Sequence, residues 1–219
     1  MSRKRVAILI SGRGSNMAAL IEAAKDNTFP AEIVLVLSNR PDAAGLTFAS
    51  AAGIATLVID HKAYGKDRAA FDGAMQAALE QHRIELLCLA GFMRLLTDDF
   101  VNRWLGRMIN IHPALLPAFK GLDTHQRALD AGAKLHGATV HFVVPEMDAG
   151  PIIMQGAVAV RADDSTQTLA ARVLAVEHRI YPQALKLVAE GRVRIADGRC
   201  LIDGAPVPDT AQLVPLDFS

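Results

Sequence analysis

The chain has 219 residues and carries 23 Lys and Arg against 23 Asp and Glu, so no net charge favours nucleic acid or an anionic membrane as a partner. Hydrophobic residues make up 51% of it, enough for one large domain with a substantial core, yet no apolar run approaches the ~18 residues of a membrane helix. Two cysteines are too few for a disulfide framework, and the apolar segment after the basic start is too short for a signal peptide, so we expect a cytoplasmic protein.

Short apolar runs alternate with alanine-rich helical patterns along the chain. The apolar runs predict strands at 6–10, 33–37, 55–59, 85–90, 108–111, 138–144 and 152–160. Apolar spacings of three and four residues predict helices at 15–25, 42–52, 67–82, 98–104, 124–131 and 165–190. Because most strand runs are continuously apolar, we expect a Rossmann-like, mostly parallel sheet with helices on both faces, in a single α/β domain.

Two segments depart from this pattern. Thr139, His141 and Val143 alternate with apolar residues, which predicts that the strand at 138–144 is antiparallel or lies near an edge. Turn residues become frequent after position 190, which predicts a small hairpin followed by a loose end. We therefore expect a main domain at 1–195 and a C-terminal extension at 196–219.

A glycine loop, SGRGSN at residues 11–16, joins the first strand to the first helix. Its glycines let the backbone approach a ligand closely, and free N–H groups at a helix start bind anions, so the loop indicates a phosphate site. A plain tight turn is the alternative. A dinucleotide site fits less well, because Met17 stands where the third glycine of G-x-G-x-x-G would fall. Arg40 keeps a phosphorylated nicotinamide cofactor open as a further alternative.

Asn110 and His112 are two residues apart on a predicted strand, so their side chains project from the same face. Pro113 follows them and ends the strand, because proline lacks a backbone donor. Ligands of parallel sheets bind at this carboxyl end of the strands. An Asn amide can donate to a developing oxyanion and a His can supply a proton, so the pair indicates acyl-type group transfer without a metal or a covalent nucleophile.

Asp148 stands before a Gly150-Pro151 turn that can bring its carboxylate back to the sheet edge. A carboxylate near an imidazole favours the protonated ring, so Asp148 is the candidate that tunes the proton donor. The alternative is that both segments have only a structural role: residues 110–113 would end a strand, and residues 148–151 would form an ordinary turn. His136 and His141 lack a third ligand at a recognised zinc spacing, so we expect no metal, and His141 is expected to be a packed strand residue that can line the site.

Five segments, taken together, resemble the formyltransferases that use 10-formyltetrahydrofolate. They are SGRGSN at 11–16, LAGFMR at 89–94, NIHPALLP at 110–117, HGATVHF at 136–142 and DAGPII at 148–153. Their order and spacing, over about residues 5–195, match the members that act on glycinamide ribonucleotide in purine synthesis. The resemblance implies the formyltransferase fold, with 10-formyltetrahydrofolate as the co-substrate and the amine of that ribonucleotide as the formyl acceptor.

The resemblance also implies which residues bind the two substrates. Gly14, Ser15 and Asn16 would hold the phosphate of the ribonucleotide, and Glu177 would accept hydrogen bonds from its ribose or glycinamide part. Arg68 would meet the p-aminobenzoyl-glutamate portion of the folate. The folate pocket and the loop over the pterin would comprise Met93, Arg94, Leu95, Leu96, Asn110, Val144, Pro145, Glu146, Met147 and Asp148. The plainer alternatives are that Glu177 is a solvated helix carboxylate, that Arg68 is a surface arginine, and that Met93–Leu96 pack in the core.

Two positions depart from the pattern of the relatives. Ala114 stands where many of them carry Ser, and its methyl group cannot make the hydrogen bond of a hydroxyl. Arg13 stands where small or polar residues are common, and it either assists the phosphate or points to solvent. Neither position belongs to the set of Asn110, His112 and Asp148.

The mechanism implied is direct transfer, in which the amine attacks the formyl carbon while Asn110 and protonated His112 stabilise the oxyanion and Asp148 helps to move a proton. Three other functions compete. A formyltransferase acting on initiator aminoacyl-tRNA would normally carry a further basic C-terminal domain, and a folate deformylase an extra N-terminal domain. A nucleotide-binding module or NADP oxidoreductase would leave the three residues without a purpose. We expect small-molecule substrates and a monomer or homodimer.

Overall fold

A computed structural model describes residues 2–203, and seven of its strands form one sheet. In chain order they are β1 (Lys4–Ile10), β2 (Ala31–Ser38), β3 (Ala55–Val58), β4 (Leu86–Leu89), β5 (Met108–His112), β6 (Leu135–Phe142) and β7 (Ile152–Ala159). Their spatial order is β3-β2-β1-β4-β5-β6-β7. The first five run parallel, whereas β6 and β7 are antiparallel to their neighbours. The predicted mostly parallel α/β fold is confirmed, and so is the antiparallel course of the strand near the edge.

Within the same residues the helices are α1 (Ser15–Ala24), α2 (Gly45–Ala51), α3 (Arg68–Gln81), α4 (Asp98–Arg103), α5 (Thr124–Asp130) and α6 (Thr166–Ala189). Side-chain caps fix the start of three of them. Asp67 accepts a hydrogen bond from the Ala70 N–H at the start of α3, and Thr97 accepts one at the start of α4. Ser165 and Thr168 form a capping box on α6. Such caps satisfy N–H groups that have no partner within the helix.

The sheet separates two apolar layers because alternate side chains of a strand point to opposite faces. On β1, Val6, Ile8 and Ile10 belong to a core that includes residues of α1, α2 and α6. Ala7 and Leu9 belong to a second core that includes residues of α3 and α4. All five are fully buried, which is why this strand reads as a continuous apolar run rather than as an alternating one.

The order of the strands sets where a ligand can bind. β1 lies between β2 and β4, so the chain winds outward from β1 in one direction and then crosses to the other side. In open parallel sheets this reversal opens a crevice at the carboxyl ends of the strands. The residues that follow those ends here are Ser11 after β1, Asn39 after β2, Gly91 close behind β4, and Pro113 after β5.

The predicted helix at 42–52 was wrong at its start, since α2 begins only at Gly45. Asp42 instead pairs with Arg40 in an exposed turn, and the Gly45 N–H donates to the Gly12 carbonyl of the glycine loop. The strand predicted at 138–144 is shifted, because β6 already pairs with β7 from Leu135. A short 3-10 turn at His61–Tyr64 was not predicted.

After α6 the chain forms a two-stranded antiparallel hairpin, β8 (Val193–Ala196) with β9 (Arg199–Ile202). The expected boundary at 195/196 falls inside this hairpin, and the division into a main domain and an extension stays a prediction. The loose end expected after the hairpin lies outside the described residues. Across the part of the chain that is described, no helix is long and apolar enough to cross a bilayer.

Candidate active site

Two cavities open at the carboxyl edge of the sheet. The glycine-loop cavity has a volume of about 520 Å³ and is lined by residues 11–16 together with the ends of β2 and β4. The apolar cavity has a volume of about 950 Å³ and is lined by the ends of β4 and β5 and by loops that follow β5 and β6. Gly91, Met93 and Arg94 line both cavities, and we refer to them as the shared wall.

The glycine loop reaches the start of α1 through a left-handed residue. Gly14 has φ 73°, a conformation that favours glycine, and no side chain caps the helix there. A Cβ on Gly14 would lie 3.2 Å from the Cα of Gly45, so the loop also needs a glycine to pack against α2. An uncapped helix start facing a cavity is a suitable site for an anionic group.

Asn110 and His112 lie on β5, and the antiparallel register places His141 opposite Asn110 and Thr139 opposite His112. Nε2 of His112 donates to the carbonyl of Phe119 at 3.0 Å. Its Nδ1 faces a carboxylate oxygen of Asp148 at 3.6 Å. The side chain of His112 is only 7% exposed, so the partners of both ring nitrogens are protein groups rather than solvent.

Asp148 is brought to His112 by the loop between β6 and β7. Its backbone is left-handed, with φ 51°, and its Oδ2 accepts a hydrogen bond from the Gly121 N–H at 2.8 Å. Gly150 lets the loop lie against β6, since a Cβ there would sit 1.8 Å from the Phe142 carbonyl oxygen. These contacts fix a carboxylate that is only 11% exposed beside the imidazole.

His141 orients the amide of Asn110. Burial lowers the pKa of His141, although its bond to the Phe142 carbonyl and the nearby Asp148 charge act in the opposite direction. Its Nδ1–H donates to that carbonyl at 2.9 Å, which leaves Nε2 as an acceptor 3.3 Å from the Asn110 amide nitrogen. One N–H of Asn110 is therefore directed at His141, and within residues 2–203 the other amide atoms have no hydrogen-bond partner.

Glu177 on α6 is linked to the glycine loop. It is 7% exposed and accepts a hydrogen bond of 2.5 Å from the amide of Asn16. Burial raises the pKa of Glu177, whereas the Asn16 bond and the charge of His112 lower it. The other amide atom, Oδ1 of Asn16, is buried and has no hydrogen-bond partner among the described residues. A carboxylate and a carbonyl oxygen thus lie beside the glycine loop, although Glu177 itself lines neither cavity.

The structure brings most of the predicted binding residues to one of the two cavities. Gly14, Ser15 and Asn16 line the glycine-loop cavity. All but one of the predicted folate-binding residues line the apolar cavity. They are Met93, Arg94, Leu95, Leu96, Asn110, Val144, Pro145, Glu146, Met147 and Asp148. Arg68 is the exception, since it is exposed at the start of α3 and lines neither cavity.

Sequence reasoning missed a pair of histidines behind the site. Nδ1 of His125, which lines the apolar cavity, lies 3.1 Å from Nε2 of the fully buried His136. Burial lowers the pKa of His136 to about 4, and the neighbouring His125 acts in the same direction. The Phe119 ring packs edge-on against His136, with ring centroids 5.9 Å apart. The only signal in the sequence was the number of histidines, because the packing of α5 decides which of them meet.

No group of three or more His, Cys, Asp or Glu side chains with the geometry to hold a metal ion occurs between residues 2 and 203. The groups that meet at the end of β5 are an amide, an imidazole and a carboxylate. Such groups can stabilise an oxyanion and move a proton.

A family model described as formyl transferase matches residues 4–185. The trifunctional purine biosynthetic protein adenosine-3 of Bos taurus is 52% identical over 195 residues, which are 89% of this chain and 19% of that protein. The phosphoribosylglycinamide formyltransferase of Escherichia coli (strain K12) is 42% identical over 203 residues, 93% of this chain and 95% of that protein. The chain thus spans about a fifth of the trifunctional relative and nearly all of the bacterial one.

The fold is also similar to solved structures. The crystal structure of glycinamide ribonucleotide transformylase 1 from Symbiobacterium toebii matches with a TM-score of 0.88 at 44% identity. The match covers 91% of this chain and 94% of that one. The similarity therefore extends over most of both chains.

Proposed function

The chain belongs to the formyl transferase family, as its motifs predicted, and on that premise we propose that it transfers a formyl group from 10-formyltetrahydrofolate to the amine of glycinamide ribonucleotide in purine synthesis. The observation that carries the proposal is the meeting of Asn110, His112 and Asp148 in the apolar cavity, beside the wall shared with the glycine-loop cavity. Two cavities with one wall suit a reaction between two bound substrates.

The ribonucleotide is assigned to the glycine-loop side. Gly14, Ser15 and Asn16 would hold its phosphate at the uncapped start of α1. Glu177 would accept hydrogen bonds from the ribose or the glycinamide part, and its hydrogen bond with Asn16 of the glycine loop supports this assignment. The charge of His112 also acts on Glu177, so in this proposal that end of the ribonucleotide would lie near the reacting groups.

The folate is assigned to the apolar cavity, whose surface is mostly apolar, as is usual for binding sites of ring systems, although polar side chains also line it. Met93, Leu95 and Met147 are more than half exposed at its rim and offer apolar surface that a ligand would cover. Contact between Arg68 and the glutamate portion stays a prediction, since that side chain lies outside the cavity.

In the proposed reaction the amine nitrogen of the ribonucleotide attacks the formyl carbon, and the carbonyl electron pair moves to oxygen. The free N–H of Asn110 and the imidazolium of His112 stabilise this oxyanion. Collapse of the tetrahedral intermediate breaks the bond from carbon to N10 of the folate, while a proton passes from the attacking amine to N10. Asp148 balances the charge of His112 and, with ordered water, assists the proton transfer.

A formyl-transfer assay with both substrates tests the proposal. We expect formylated ribonucleotide at a saturable rate, the same with and without a chelator, and no formate release when the ribonucleotide is left out. Formate release independent of the ribonucleotide would instead indicate a deformylase. Formylation of initiator aminoacyl-tRNA, or no reaction with either acceptor, would also contradict the proposal.

We further propose that the protein acts in the cytoplasm as a monomer or homodimer. The groups that the proposed reaction uses, Asn110, His112 and Asp148, meet within one chain. Size-exclusion chromatography with light scattering, combined with activity at different protein concentrations, measures whether turnover depends on association.

A further inference from the structure

The first residue of the glycine loop is hydrogen-bonded twice to the shared wall. The Ser11 N–H donates to the carbonyl of Gly91 at 3.1 Å. The Met93 N–H donates to the hydroxyl oxygen of Ser11 at 2.7 Å. Ser11 is only 5% exposed, so water does not compete for these bonds. The glycine loop and the segment that lines the apolar cavity therefore hold each other in place through one residue.

The hydroxyl of Ser11 is also bonded on its other side. Because it accepts the Met93 N–H, its own hydrogen is free to be donated to Oδ1 of Asn39, 2.6 Å away. This fixes the orientation of the Asn39 amide. His61 is held to the same residue, because its Nδ1–H donates to the Asn39 backbone carbonyl at 2.8 Å. Asn39 and His61 both line the glycine-loop cavity. Hydrogen bonds thus connect the shared wall through the Ser11 hydroxyl to the side chain of Asn39, which lines the other cavity.

We propose that Ser11 is a positioning residue that couples the two cavities, so that a ligand in one raises the affinity for the ligand in the other. A ligand that orders the Gly91–Arg94 segment also fixes the position of the Ser11 hydroxyl. It thereby orders the glycine loop, which would hold the phosphate. By thermodynamic linkage the same factor acts in both directions. The inference rests on the proposed function for the identity of the two ligands.

Calorimetry on the whole protein tests the coupling. The dissociation constant of glycinamide ribonucleotide is measured alone and with a saturating folate analogue that carries no transferable formyl group. In the unchanged protein we expect the analogue to tighten ribonucleotide binding about fivefold or more, within the usual range of coupling between sites. In Ser11→Ala the ratio of the two constants should fall below about twofold, and in Ser11→Thr, which keeps the hydroxyl, the coupling should be retained.

Ser38→Ala is the matched control. Ser38 is fully buried and its hydroxyl also makes two hydrogen bonds, but both are to Arg40 and neither reaches the shared wall. Its loss should leave the coupling ratio unchanged. If Ser11→Ala does not fold, Asn39→Ala provides the second variant, because it removes the acceptor that holds the Ser11 hydroxyl toward the wall; the ratio should fall there as well.

Three results would overturn the inference: no coupling in the unchanged protein, full coupling in Ser11→Ala, or an equal loss of coupling in Ser38→Ala. Failure of the proposed function looks different. In that case the unchanged protein would not bind glycinamide ribonucleotide, with or without the folate analogue, whatever residue stands at position 11.

Discussion

At the scale of single residues, the site depends on how His112 is held. Its Nε2–H is bonded to a backbone carbonyl, that of Phe119, and its Nδ1 faces a buried carboxylate, that of Asp148. The carbonyl fixes the plane of the ring, and the carboxylate compensates the positive charge that proton transfer creates. The two partners therefore have separate tasks, and removing one should not imitate removing the other.

Asp148→Asn should lower turnover about 10²-fold or more, because the amide keeps the size of the side chain but loses the negative charge beside His112. Asn also tolerates the left-handed backbone at this position and can still accept the Gly121 N–H, so the fold should be preserved. The measurement is kcat under saturating substrates. Asp163→Asn, at an exposed position that lines neither cavity, is the control and should keep its turnover.

Stability should fall as the pH is lowered, and His136 should account for part of the loss. Its pKa is lowered from its usual value of 6.5 to about 4, so below pH 6.5 the unfolded chain binds a proton that the folded protein excludes. The stability is complete above pH 6.5 and is lost progressively toward pH 4, by about 2–3 kcal/mol for this group. Urea unfolding at several pH values should show a weaker pH dependence for His136→Gln. An unchanged dependence would contradict the assignment.

The sequence predicted the candidate residues better than their contacts. Strand periodicity placed Asn110 and His112 on one face, and this holds because β5 is regular up to His112. The approach of Asp148 could not be read from the pattern, since it depends on a left-handed residue and on a loop packed against another strand. His141 is opposite Asn110 only because of the register of β6, which a strand pattern leaves open by one residue.

At the scale of elements, the antiparallel half of the sheet delivers the carboxylate. β6 and β7 turn back on each other, and their connecting loop returns to the end of β5, where His112 lies. A parallel connection would have needed a crossover of a dozen or more residues in place of this loop. The change of strand direction in the sheet is therefore directly tied to the composition of the site.

Gly150→Ala should damage the site through the loop. The added Cβ would lie 1.8 Å from the Phe142 oxygen, the same oxygen that accepts the His141 Nδ1–H, so the loop must move away from β6. We expect a loss of about 1–3 kcal/mol in the free energy of unfolding. Turnover should fall about tenfold or more even at temperatures where the variant is fully folded, because Asp148 moves with the loop. Unfolding and kcat are measured on the same preparation.

Gly73→Ala is the counterpart to this prediction. Gly73 lies inside α3, and a Cβ there would meet no atom within 4 Å. Alanine favours the helix, so the free energy of unfolding should rise by about 0.5–1 kcal/mol with turnover unchanged. Destabilisation at this position would show that glycine substitutions are harmful for a general reason rather than through the loop near Phe142.

Element types were predictable, and element ends less so. The helices predicted at 67–82 and 165–190 start at the residues that cap α3 and α6, Asp67 and Ser165, because side-chain capping is a local interaction. The start of α2 depends instead on a contact between Gly45 and Gly12, which are 33 residues apart. A helix limit set by tertiary contact carries no local signal.

At the scale of the whole molecule, two substrates would occupy two cavities on one edge, so binding should stabilise the fold by mass action. Glycinamide ribonucleotide at about 100 times its dissociation constant should add about 2.7 kcal/mol to the free energy of unfolding. For a domain of this size that corresponds to a rise in Tm of roughly 5–10 °C. NADPH at the same concentration should leave Tm unchanged. A rise with NADPH would favour the nicotinamide alternative for the glycine loop.

The hydrogen bond between Asn16 and Glu177 joins positions 161 residues apart, which has a consequence for the order of folding. The pairing of β1 with β4 likewise joins residues about 80 positions apart in the chain. Pairings of such long range form slowly, because the entropy of closing a long loop is lost before the contacts contribute stabilising free energy. During synthesis the glycine loop is made early but lacks its α6 partner until most of the domain has emerged. Ribonucleotide binding should therefore appear late in refolding, after helix content has recovered, and can serve as a probe of the finished native state.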